Sequence, residues 1–560
     1  MRFFRSLTAL AALLILLAGC GGGGDPQSAT KTFYYNEAED LNSLDPARIS
    51  ARPPWWVGGQ IYIGLVGLDS ALKPVPLLAK SWTTSEDGRT WTFHLRNDVR
   101  FADDASFPGG RGRVVTSEDV RYSFERICNP ETASTGFWVF RGKVRGAEEY
   151  FKREPGASEH VAGFKVVDDT TFVVELLEPS PIILSLFSMP YCYVVPREAV
   201  EKHGKEFFRN PVGAGPFKLA SWDVAQRLVL VRNENYFEKD AAGTQLPYLD
   251  SVVVSFLKDR KSEFLEFESG RLDMVAAIDP AFFEKVFTPD GKGLTDAYAQ
   301  YQLHRVPSMS VEYYGIMQDS TSQGGRGSVL AGNRYLRRAI NYAIDREKLV
   351  TFVLRGMAIP AANGPIPPGI PGFSGVKGYS YDPAMAKLLL DSAGYPGGRG
   401  LPELALQISE SERVTAVAQA IQEQLNAVGI KVRINQVSPA QNRSMASEGR
   451  LSFWRANWMA DYPDAENFIA LFYSSYAAPS GSNTTRFSNR TVDSLYRAAL
   501  QPGLTAEARA AIYGEAERII LRESPWILLY HSTIQRLTRP GIRGYMVDPL
   551  DRLMLNHVRR

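Results

Sequence analysis

Histidine and cysteine are scarce in this chain, six and three among 560 residues. His94, His160, His203, His304, His531 and His557 are scattered with no metal-ligand spacing, which argues against a bound free metal. Three cysteines are few for an exported protein and cannot build a disulfide framework. The chain lacks His-Glu-x-x-His, Gly-x-Ser-x-Gly and Gly-x-x-x-x-Gly-Lys-Ser/Thr, so no familiar hydrolase, zincin or nucleotide-binding signature is present. Catalytic groups assembled from distant residues escape that test. Gly213-Ala-Gly215 runs into Pro216 and reads as a turn, not as the start of a dinucleotide-binding helix. Neither charge sign dominates: 63 Lys and Arg face 61 Asp and Glu, and a net +2 leaves no electrostatic footprint for nucleic acid. Beyond residue 20 no apolar run approaches the roughly 20 residues of a membrane helix. No internal repeat is visible, and no cofactor is indicated.

What is present is an ordinary globular composition, 44% hydrophobic and 22% charged. Its length allows two to four domains. The N-terminus carries Arg2 and Arg5, then roughly a dozen apolar residues, then Leu17-Ala-Gly-Cys20, the pattern of a secretory signal. Ending in cysteine, it resembles a bacterial lipobox. That resemblance implies a signal peptide over residues 1–20, lipidation of Cys20, and a protein held on a membrane outside the cytoplasm. Gly21 to Gly24 and Asp25-Pro-Gln-Ser28 open a flexible tether over residues 21–30. Cys128 and Cys192 could pair in an oxidising compartment or stay as small buried hydrophobes, since a chain this large does not need the staple. Nine Trp, 25 Tyr and 29 Phe suit a large aromatic-lined pocket, although most must serve the core.

Periodicity locates several elements. Thr90 to Arg96 alternates Trp91, Phe93 and Leu95 with polar neighbours, and Thr171 to Leu177 does the same through Phe172, Val174 and Leu176; both predict half-buried strands. Between them Thr116-Ser-Glu-Asp119 is a capping-box pattern ahead of Val120, Phe124 and Ile127. Val414, Val417, Ile421, Leu425 and Val428 predict an amphipathic helix stopped at Gly429, followed by a strand from Lys431 to Val437. Leu336, Ile340 and Ile344 predict another helix, with Asp345 and Arg346 near its middle or end. Leu451 to Trp458 reads as a buried strand. Alternating helices and strands indicate α/β lobes. Residues 356–378 and 394–402, rich in Pro and Gly, read as surface loops, and Gly109 to Gly112 as a smaller insert.

Several segments, in order along nearly the whole chain, resemble the oligopeptide and dipeptide solute-binding proteins of ABC importers, solute-binding family 5. They are Leu41-Asn-Ser-Leu-Asp-Pro46, Leu78-Ala-Lys-Ser-Trp82, Ser85-Glu-Asp-Gly88 with Thr90 to Arg96, and Thr116 to Val120 with Tyr122 to Arg126. Pro211-Val-Gly-Ala-Gly-Pro-Phe217, Leu336 to Ile340 with Ala343 to Arg346, Tyr381-Asp-Pro383, and Asp461-Tyr-Pro-Asp464 with Asn467-Phe468 complete the series. The resemblance implies a three-lobed periplasmic-binding-protein-like II fold of the large peptide-binder type with a hinged cleft. Lobe I would comprise residues 31–60, 206–308 and 536–560, lobe II residues 61–205, and lobe III residues 309–535. Closing about two interlobe connections would bury the ligand.

The same resemblance implies a peptide held as an added strand, its charged ends met by opposite charges because a buried, unpaired charge is expensive. Asp461 matches the position that anchors a peptide ammonium; read locally, it is a loop-capping residue before Tyr-Pro. Asp464 reads as structural. Arg455, six residues before Asp461, matches a position that meets the peptide carboxylate, where an Arg fork fits well; an ion pair inside the lobe is the other reading. Arg413 opens the amphipathic helix against its dipole and matches a second such position, with a plain surface Arg as the alternative. Trp458 and Tyr462 flank Asp461, and Tyr313 and Tyr314 lie on a segment resembling a ligand-facing strand. The sequence departs from the family at Tyr313 to Met317, where an Asn is missing, and at Met309, Ser310 and Met459, where some members have a cysteine pair.

The resemblance therefore implies a monomeric, non-enzymatic binder of small peptides that delivers them to permease subunits. Family members also take up nickel complexes, sugars, opines and haem. A sugar binder would stack rings on Trp and would not need Asp461 charged. A cell-surface enzyme or ligand-sensing receptor on this scaffold has no sequence support.

Overall fold

A computed structural model describes residues 30–49, 52–153 and 158–560. Cys20, the expected signal sequence and nearly all of the expected 21–30 tether lie outside the described residues. The first half of the chain supplies strands β1 (Thr32–Asn36), β2 (Val66–Leu68), β3 (Pro74–Pro76), β4 (Ala79–Thr84), β5 (Thr90–Leu95), β6 (Phe164–Asp168), β7 (Thr171–Glu175), β8 (Phe217–Asp223), β9 (Arg227–Arg232), β10 (Ser251–Ser255) and β11 (Met274–Val275). The second supplies β12 (Gln302–Pro307), β13 (Ser310–Ile316), β14 (Ala358–Pro360), β15 (Leu404–Ser409), β16 (Val432–Val437), β17 (Phe453–Met459) and β18 (Trp526–Thr538). They form three principal sheets. The first runs β1-β10-β9-β8 and the second β4-β5-β7-β6. The third runs β11-β18-β13-β17-β15-β16, with β12 and β14 also on β18.

Local patterning explains the pieces. On β5, Phe93 and Leu95 are fully buried and Trp91 half-buried; on β7, Phe172 and Val174 point into the same core. The helix Ser117–Cys128 starts where Asp119 Oδ2 accepts the backbone N–H of Thr116 at 2.8 Å, and it buries Val120, Phe124 and Ile127. The helix Glu412–Asn426 lays Val414, Val417, Ile421 and Leu425 on β15 and β16, as the crossover between two parallel strands requires. It stops before Gly429, whose φ of 94° only glycine adopts easily. The helix Arg334–Ala343 ends sooner than its periodicity suggests. Asp345 lies past its end and caps the next turn by accepting the N–H of Lys348 at 3.0 Å. Arg346, also past the end, is buried and donates to the carbonyls of Leu528 and Asn341 at 2.7 and 3.0 Å. Cys128 and Cys192 are free, buried thiols.

The third sheet positions the site. β18 is 13 residues long, and two strands share it end to end: β13 pairs with its first half, β12 with its second. The chain crosses from β12 to β13 at Pro307–Ser310, opposite His531–Thr533 on β18. Two segments, the β12–β13 junction and the middle of β18, therefore run side by side. β13 is covered on both faces. Met309, Val311 and Tyr313 enter one apolar core, and Tyr314 and Ile316 enter the other.

Candidate functional site

Asp461 lies just beyond the end of β17, in a loop held by Asn467. The side-chain Oδ1 of Asn467 accepts the indole N–H of Trp458 at 2.8 Å and the backbone N–H of Asp461 at 3.2 Å. The remaining acids of the loop are committed. Asp464 takes both arms of the Arg509 guanidinium at 2.8 and 3.0 Å. Glu466, 3% exposed, accepts the hydroxyls of Tyr462 and Tyr496. Asp461 is different. It is half-buried, and among the described residues no cation pairs with its carboxylate. Burial pushes its carboxyl up to about 6, and the Asn467 amide pulls it only part of the way back. An acid of that kind calls for a cation.

Aromatic rings gather around the Asp461 loop from two directions. Trp458 is half-buried beside it on its own sheet. From the layer of the second sheet, the ring of Trp138 lies 6.3 Å from that of Tyr462 and 6.3 Å from that of Tyr191. Tyr191 is close enough that the charge on Asp461 raises its phenol pKa, after the larger effect of burial. Lys143 senses the same loop through space: burial lowers its pKa, and the charge on Glu466 draws it back up. Trp138, Tyr191 and Lys143 carry no sequence signal of their own, because the chain brings them to the Asp461–Glu466 loop only through tertiary packing.

Of the expected basic anchors, Arg455 lies on β17 and Arg413 at the start of the helix Glu412–Asn426. Arg455 donates through Nη2 to Glu312 Oε2 at 2.5 Å; the two side chains are 16% and 6% exposed. Burial raises the Glu312 carboxyl pKa, and Arg455 and then Arg413 pull it back. Arg413 itself is exposed at the start of its helix. Arg455 thus has an internal partner, and Glu312 is a functional candidate that sequence patterning does not reveal.

Three rings expected near the ligand, those of Tyr313, Tyr314 and Tyr462, are buried in this structure. Tyr314 is 1% exposed and packs edge-on against Phe453 within a core, its ring centroid 5.5 Å away. Tyr313 stacks on Trp526 at 3.5 Å in the opposite core. Both belong to a strand flanked by β17 and β18 and covered on both faces. Tyr462 is likewise buried, held by Glu466, and supports the Asp461 loop from behind.

Residues 73–480 match the family model for bacterial extracellular solute-binding proteins, family 5. The chain belongs to that family. Members are binding components of transport systems, not enzymes, and this solute-binding protein is accordingly extracytoplasmic. Among the described residues no helix is long and apolar enough to cross a membrane. It is 27% identical to heme-binding protein A of Haemophilus influenzae, over 98% of this chain and 97% of the relative. It is 27% identical to the glutathione-binding protein GsiB of Salmonella typhimurium over 94% and 93%, and 26% identical to the dipeptide-binding protein of Escherichia coli over 85% and 84%. The unliganded open form of the murein tripeptide-binding protein MppA superposes with a TM-score of 0.77 at 25% identity, covering 95% of this chain and 98% of that one. OppA of Haemophilus influenzae in complex with the peptide RPPGFSPFR gives 0.69 at 24% identity, over 95% and 99%, and shares the fold. The fold is the type II periplasmic-binding architecture of the large peptide binders.

Proposed function

We propose that this solute-binding protein captures short peptides and holds their α-ammonium on Asp461. The observation that carries the reading is the half-buried Asp461 carboxylate, raised to about 6 and left without a cation beside neighbours that are all paired. A ligand ammonium would supply the missing charge, and Trp458, Trp138 and Tyr191 would shield the pair from water. Relatives that bind dipeptides and glutathione agree with such a ligand.

Residues 31–60, 206–308 and 536–560, residues 61–205, and residues 309–535 would act as three lobes. The crossings at Pro307–Ser310 and His531–Thr533 would serve as the hinge between the first and third. Closure would bring Trp138 and Tyr191 onto the ligand, and the closed monomer would dock on the permease subunits of an ABC importer. Lipidated Cys20 would tether it to the membrane, and Cys20→Ser should move the protein from the detergent phase to the aqueous phase of a Triton X-114 partition. The 27% identity to a heme-binding protein supports a second reading, a non-peptide solute in the same cleft.

Native mass spectrometry of the chain from Ala29 onward, mixed with di- to pentapeptides, separates the two. Peptide binding lost on N-acetylation and in Asp461→Ala supports the ammonium anchor. Binding indifferent to both changes, or none at all, transfers the search to haem and other non-peptide solutes.

A further inference from the structure

We infer that Glu312 sets how this cleft responds to the far end of its ligand: it occupies Arg455, so the site reads a peptide's ammonium and not its carboxylate. The inference rests on the peptide reading of Asp461 and adds the other end.

The geometry is specific. In the β13–β17 ladder Glu312 opposes Asn457, and Tyr314 opposes Arg455. Glu312 and Arg455 are therefore diagonal neighbours on one face, close enough for side-chain pairing. Arg455 lies six residues before Asp461, and an extended chain rises about 3.3 Å per residue, so the two positions are separated by on the order of 15–20 Å along the strand. A peptide of a few residues laid beside β17 with its ammonium on Asp461 would bring its carboxyl end to the level of Arg455.

That guanidinium is not free. Its Nη2 is bonded to Glu312 Oε2, while its Nε is buried without a partner. A second carboxylate placed there would lie beside the Glu312 charge and would have to share one cation. An uncharged acceptor such as an amide carbonyl fits better, since it brings no second negative charge beside Glu312. Arg413 is the remaining cation near Glu312, but it is exposed, and ion pairs in water contribute little. The ligand class that matches both ends has a free ammonium and an uncharged, hydrogen-bonding far end. A free carboxylate is tolerated there without being rewarded.

The test uses alanine peptides of two to five residues, each as free acid and as C-terminal amide, titrated against the whole lipid-free protein by calorimetry. In the wild-type protein amidation should change the affinity of every length by less than about threefold. In Glu312→Gln the freed fork should favour the acids, and amidation of the best-matched length should then weaken binding about tenfold or more. The acid-to-amide ratio is the readout, because general damage to the fold would weaken both forms alike. If amidation weakens the wild type more than about tenfold, the inference is overturned. That comparison needs no variant, so it stands even if Glu312→Gln does not fold. If acids and amides both fail to bind, the peptide reading of Asp461 fails first and takes this inference with it. If free acids bind and N-acetylation abolishes binding, that reading survives and the amide series judges Glu312 alone.

Discussion

Replacing Asp461 with asparagine should stabilise the ligand-free protein while destroying its affinity for peptides. The carboxyl is raised from 3.8 to about 6 because burial disfavours its charge. Such a shift corresponds to about 3 kcal/mol of destabilisation at a pH well above 6. Partial exposure screens the group, so ~1–3 kcal/mol is the working range. The sign follows from linkage. A carboxyl raised in the folded state carries no penalty below its unfolded pKa, and the penalty grows as pH rises towards and through 6. Asparagine is uncharged throughout, so Asp461→Asn should raise the urea midpoint at pH 7.5 and leave it unchanged at pH 4. Peptide binding should fall by two orders of magnitude or more, because a buried ammonium without its counter-ion loses several kcal/mol. The assay is urea unfolding followed by tryptophan fluorescence at both pH values, with calorimetric titration of a free tripeptide alongside. A variant less stable than the wild type at pH 7.5 would refute the reasoning, for it would show that Asp461 serves the loop as a capping residue.

Asp464, three residues away, should behave in the opposite way. Asp464→Ala strands the Arg509 guanidinium, whose side chain is 14% exposed, and should lower stability by about 3–5 kcal/mol in the same unfolding assay. Peptide affinity should fall about tenfold from pH 7 to pH 5, because Asp461 must be ionised to bind while the peptide ammonium, with a pKa of about 7.7–8.0, stays charged; a flat calorimetric profile would contradict this. Gly315→Ala should destabilise by ~1–3 kcal/mol, since a Cβ there would lie 2.8 Å from the buried indole of Trp454; an unchanged urea midpoint would show that the indole yields.

Features with local causes were legible in the sequence. The strand at Thr90, the capped helix at Ser117 and the helix–strand unit from Glu412 to Val437 all form where periodicity and capping residues place them. The Asp461 loop was legible as a motif, though nothing local reveals that its carboxylate lacks a cation. The burial of Tyr313 and Tyr314 was not legible, because a strand read alone does not reveal whether one face or two are covered. The strand that flanks them, β18, begins only at Trp526. The Glu312–Arg455 pair spans 143 residues of sequence, and no spacing rule links the two. Trp138 and Tyr191 reach Asp461 from a different sheet layer for the same reason.

The acids near the third sheet show why burial alone does not identify a ligand site. Asp464, Glu466 and Glu312 are all more deeply buried than Asp461, and each is neutralised or hydrogen-bonded by a partner within the protein. They hold the fold and ask nothing of a ligand. Asp461 is an acid with no cation partner among the described residues and only the Asn467 amide to offset its desolvation, and stability given up in this way commonly marks function. On the proposed peptide reading, an Arg455 already occupied by Glu312 would give the cleft a direction. One end would demand a cation and the other would offer only neutral contacts. A binder built so would recognise which way a chain runs and would be lenient about where it stops, a property suited to taking up mixed peptides of unequal length.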